Sequence, residues 1–176
     1  MLAEHLYEQG VTTPISLRMI IFLISLLMVA VTVSIHGFGS EIWTRIVLVK
    51  FFDPHRVWKP FHRASILILT TNFLLVLHLV EVMLWAMVFL WLPDVTEVQT
   101  FEEAFYFSLI TFTTVGYGDI TLGTNWRVLG GVEAINGVVL IGWTTAFLFG
   151  VVQRTWKEDN AGIHSKQSHK EMKEHH

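Results

Sequence analysis

Residues 113–120 read TTVGYGDI. Gly116 and Gly118 flank a lone tyrosine, Tyr117, and Asp119 follows. In a soluble chain Gly-Tyr-Gly-Asp makes an ordinary surface turn. Here it lies between two long apolar stretches, so its neighbours decide the reading.

The stretch just before it, TFEEAFYFSLITFTT, has only about a dozen apolar residues, too few to cross a bilayer. Its start is well marked. Thr100 with Glu103 three residues on forms a capping box, and Glu102 and Glu103 sit where a helix dipole favours anions. The pattern predicts a short re-entrant helix over 101–113 that stops where the quoted stretch begins. Backbone that leaves the helix at membrane depth needs protein around it or a wet pore beside it.

Further out lie three stretches long enough to span about 30 Å of hydrocarbon. They run from about Ile15 to His36, from Ala64 to Leu92 and from Val128 to Val152. Composition agrees: 52% of the 176 residues are hydrophobic, only 15% are charged, and mean hydropathy is +0.51. Soluble domains carry about 25% charge. The absence of cysteine excludes disulfides and thiolate metal sites. The net charge of −3 gives no basic footprint, so no nucleic-acid partner is expected. No cleavable signal peptide is expected, because acidic Glu4 and Glu8 precede the first apolar run.

Five divisions follow. Residues 1–36 hold an N-terminal segment and a first span, and 37–63 form a basic connector. Residues 64–152 form one unit: a second span over 64–92, the short helix 101–113, the glycine stretch 114–118 and a third span over 128–152. Residues 153–176 are a tail rich in His and Lys. The connector holds Arg45, Lys50, Arg56, Lys59 and Arg63, and the tail has Arg154, Lys157, Lys166, Lys170 and Lys173. The loop from Pro93 to Trp126 has no basic residue. The positive-inside rule then puts connector and tail in the cytoplasm, with the N-terminus and the glycine stretch outside, in a plasma or inner membrane. EIWTRIVLVKFF, residues 41–52, reads either as an amphipathic helix along the inner leaflet or as a short helix packed on the 64–152 unit. The tail histidines lack tight ligand spacing, so the tail reads as solvated and partly disordered.

The glycines have a physical reason. A backbone that aims successive carbonyls at one axis must alternate its handedness, and glycine adopts positive φ at little steric cost. Gly116 and Gly118 stand at that spacing, with Val115 and Tyr117 turned away. Carbonyls of Thr114, Val115, Gly116 and Tyr117, with the Thr114 hydroxyl, would stack as rings of oxygen. A ring needs several copies, which points to a homotetramer closed by cyclic symmetry.

Span, short helix, TTVGYGD and span resemble the pore module of potassium channels, over roughly Ala64 to Trp156. The whole chain looks most like small prokaryotic channels with an extra N-terminal span. The resemblance implies an all-α integral membrane fold, passive K+ conduction, and K+ bound at Thr114, Val115, Gly116 and Tyr117 within a filter ending at Gly118. It also implies support from Thr113, Asp119 and the aromatic pair Tyr106 and Phe107, which would brace Tyr117. The glutamate that partners the filter aspartate in some relatives is replaced by Ile110, so Asp119 finds another partner or stays solvated. No organic cofactor is expected, and no nucleophile–base pair suggests an enzyme. The alternatives are a weakly selective cation channel and a potassium transporter subunit.

Gating candidates are less sharply marked. Gly137 lies where relatives often place a hinge, although glycines also permit close packing in membranes. Phe147 and Phe149, with Val151 and Val152, could narrow the inner mouth. Buried ionisable groups are functional candidates by default. His78 and Glu81, three apart, share a helix face as a proton-sensitive latch or as a hydrogen-bonded packing pair. Glu133 and Asn136 are similarly spaced, and His36 closes the first span. No span carries arginines at every third position, so no voltage sensor is expected.

Overall fold

The structure, a computed structural model, describes residues 15–51, 60–92 and 98–174. Among these residues every regular element is an α-helix: α1 Ile15–Phe51, α2 Pro60–Trp91, α3 Phe101–Phe112 and α4 Arg127–Glu174. Three are long and apolar enough to cross a membrane: Ile15–Val47, Ala64–Trp91 and Arg127–Arg154. Only 17–33% of each is buried within the chain, so most of their apolar surface suits lipid or further copies. The connector residues Pro54, Arg56 and Lys59, and the acidic Asp94 and Glu97, lie outside the described residues.

Two boundaries differ from the sequence reading. The first span does not stop at His36, since α1 runs unbroken to Phe51 and includes much of the connector. A Cβ on Gly39 would lie 2.8 Å from the end of the Leu77 side chain, so glycine there lets α1 and α2 pack closely without moving that leucine. Trp43 stacks on Phe73 with ring centroids 4.4 Å apart, and its indole N–H donates to Thr70 at 3.0 Å. Residues 41–51 are thus the continuation of α1, and Trp43 packs on α2. The tail differs as well: the expected disordered end is helical to Glu174. Its Lys, Glu and Gln are good helix formers, and extending an existing helix needs no new nucleus.

The buried stripe of α1 is Ile21, Ser25, Met28, Thr32, His36, Ser40 and Val47, spaced for one helix face. Four of these are polar, and the outward residues are greasy. Ser25 and Thr32 donate back to carbonyls four residues earlier, both at 2.8 Å, which satisfies them without water.

Contacts group the chain into two compact units. The described residues of one lie within Met1–Thr32 and Val82–Gly137, and those of the other within Val33–Glu81 and Val138–His176. In the first, Asn136 of α4 donates to the Thr32 hydroxyl of α1 at 2.8 Å.

Candidate functional site

The first unit holds α3 and the TTVGYGDI segment. Thr100 caps α3: its hydroxyl accepts from Glu103 N–H at 3.2 Å. Glu103 Oε2 accepts in return from the N–H groups of Gln99 at 2.8 Å and Thr100 at 3.0 Å. Those two backbone donors, Gln99 first, hold the Glu103 carboxyl below its usual range. The apolar face of α3 buries Ala104, Phe107, Ile110 and Phe112. Phe107 meets Phe89 edge-on at 5.0 Å. Buried Ser108 reaches the Val82 carbonyl at 2.9 Å and also bonds the buried Glu133 carboxylate.

At its C-terminus α3 gives way to the TTVGYGDI segment through backbone bonds. Thr114 N–H donates to Thr111 O at 2.9 Å and Gly116 N–H to Ile110 O at 3.1 Å. Positive φ then recurs at every second residue: Thr114 at 60°, Gly116 at 53° and Gly118 at 79°. This alternation lets successive carbonyls face one side. The glycines were expected; Thr114 was not. A β-branched residue in the left-handed region is strained by roughly 1–3 kcal/mol and persists only where its surroundings enforce it. Residues 113–119 are all exposed within one chain, Tyr117 to 73%.

Asp119 does have a partner. The Tyr106 hydroxyl donates to its Oδ2 at 2.7 Å. The same bond holds the Asp119 carboxyl below its usual range and pushes the Tyr106 phenol up. Tyr106 therefore ties α3 to the residue that follows Gly118, while Phe107 is turned to Phe89.

The gating candidates separate. A Cβ on Gly137 would collide with the Phe112 backbone, with the carbonyl carbon at 2.8 Å and the carbonyl oxygen nearer still. Close backbone approach is thus enough to require glycine there. Gly131, Gly142 and Gly150 meet nothing within 4 Å, so packing inside this chain does not explain them. Phe149 is exposed, whereas Phe147 lines a cavity of about 240 Å³ with Trp43, Thr44 and Val47 of α1.

In the second unit, His78 and Glu81 meet as their spacing predicts, with Nδ1 2.9 Å from Oε2. The sequence did not show that His36 joins them, its Nδ1 2.9 Å from Glu81 Oε1. Nor did it mark Thr144, whose hydroxyl lies 2.8 Å from His78 Nε2 and 3.3 Å from His36 Nε2. The first span thus contacts both long helices of the pore module.

A short capped helix feeding an alternating backbone, flanked by apolar spans, defines the class by fold: an all-α membrane protein. Comparison with known proteins narrows it. Residues 77–154 match a family described as "Ion channel". A 47-residue stretch is 49% identical to "Two-pore potassium channel 4" of Arabidopsis thaliana, covering 26% of this chain and 16% of that relative. No solved structure matches the chain. Residues 77–154 are thus similar to an ion-channel module, and part of the chain is similar to a potassium channel of which it spans about one sixth.

Proposed function

We propose that the protein is a potassium-selective channel, a homotetramer in which Thr114–Gly118 of each copy form the conduction filter. The observation that carries this is the repeat of positive φ at 114, 116 and 118, in open backbone directly after a helix C-terminus. K+ loses water at the filter and takes carbonyl oxygens of Thr114, Val115, Gly116 and Tyr117, with the Thr114 hydroxyl, in its place. The negative end of the α3 dipole favours a cation near its C-terminus. Repulsion between ions at adjacent sites moves them on, and no bond is made or broken.

The apolar side chains of Val115 and Tyr117, 52% and 73% exposed in one chain, support assembly, because neighbouring copies would cover them. The basic connector and tail support a cytoplasmic C-terminus, with the filter mouth outside. Purified protein reconstituted into liposomes should release K+ down its gradient, and barium should block that release. Vesicles that stay tight to K+ under every trigger contradict the reading.

A further inference from the structure

We propose that His36, His78 and Glu81 form a binding site for one divalent transition-metal ion of the zinc class, which ties the first span to the outer helix of the pore module. The donor atoms lie within 4.8 Å of one another and come from two helices. His36 and Glu81 are fully buried, and the His78 side chain is 14% exposed. Two imidazoles and a carboxylate are the ligand set of many zinc sites, and the imidazoles disfavour the hard ions Ca2+ and Mg2+.

The contacts within the cluster sort the ring nitrogens. Each Nδ1 faces a Glu81 oxygen at 2.9 Å, and each Nε2 faces Thr144 Oγ1 at 2.8 or 3.3 Å. An ion would therefore sit on the Glu81 side, between the two Nδ1 atoms and the carboxylate. Each ring then binds it through Nδ1, keeps its proton on Nε2, and donates to Thr144, whose oxygen has two lone pairs.

Thr144 would thus fix both tautomers, as the partners of metal-bound histidines commonly do. Trp143, edge-on to His36 at 5.8 Å, walls the site. Bonds of about 2.0–2.1 Å in a tetrahedron put donors about 3.3 Å apart, so the 2.9 Å Glu81 contacts would open slightly and the wider donor pairs, now within 4.8 Å, would close.

The test uses the full chain with the tail residues His164, His169, His175 and His176 changed to alanine, so that they do not compete. After chelator treatment and dialysis against Zn2+, elemental analysis should find about one zinc per chain. Co2+ should give the visible absorption of a tetrahedral site. His36→Gln or His78→Gln should abolish both signals. Thr144→Val keeps all three donors and should weaken Zn2+ binding by about 10–100-fold, and Zn2+ should raise the parent's Tm far more than this variant's. Zinc at background in the parent, or equal zinc affinity in parent, His78→Gln and Thr144→Val, overturns the site and leaves a hydrogen-bonded helix pin. Neither result bears on K+ conduction, which the liposome flux reads separately.

Discussion

The TTVGYGDI segment and the His36–His78–Glu81 cluster with Thr144 are both polar structures in an apolar chain, yet they are built in opposite ways. The segment is mostly backbone, open to its surroundings, and held by partners 3 to 13 residues away, from Thr111 to Tyr106. The cluster is side chain and largely buried, and apart from the i,i+3 pair His78–Glu81 its contacts join residues 45 to 108 apart in sequence. A structure made of local backbone can be written in a short motif. A structure made of distant side chains exists only once the helices have packed.

That difference can be broken at its strongest point first. Gly137→Ala drives a methyl group into the Phe112 backbone, which cannot swing aside as a side chain could. Its cost should reach or exceed the ~3 kcal/mol upper range of overpacking. Gly142→Ala, with nothing within 4 Å, should be neutral or add up to about 1 kcal/mol from helix propensity. Thermal melts of the two purified variants check the pair. Equal melting points would show that α3 and α4 do not rely on this close approach.

Next comes the cluster. Glu81→Leu keeps the bulk but leaves two ring nitrogens without their acceptor, at a cost of about 1–3 kcal/mol in a buried site. The smallest expected effect sharpens the filter side. Because the Asp119 carboxyl is depressed in the folded protein, its contribution is present above its unfolded value and is lost as pH falls through the lowered one. The raised Tyr106 phenol works at the other end: its contribution is present below its unfolded value and is lost as pH rises through the raised one. Tyr106→Phe should therefore move the acid limb of a pH–stability profile upward and remove the alkaline one. An unchanged profile would mean that the bond carries no stability.

Legibility follows the same division. The cap at Thr100, the short α3 and the paired glycines are local signals, and the structure has each of them. Positive φ at Thr114 was hidden, because its residue type argues against it. The length of α1 was hidden because Gly37 and Gly39, poor helix formers, lie inside it. Its buried stripe was equally opaque: Ser25, Thr32, His36 and Ser40 face inward while leucines face out, so hydrophobic periodicity points the wrong way. Half of the cluster, His78 with Glu81, could be read from an i,i+3 spacing. His36 and Thr144 could not, since nothing local links them to it.

The claim at the centre is that bare carbonyls of Thr114 to Tyr117 take the place of water around K+. Reversal potentials of the reconstituted full-length protein in opposed K+ and Na+ gradients test it most directly. The account predicts a potential that tracks the K+ gradient in the wild type and moves toward zero in Tyr117→Asp. A wild-type potential indifferent to which of the two ions is on which side would contradict it.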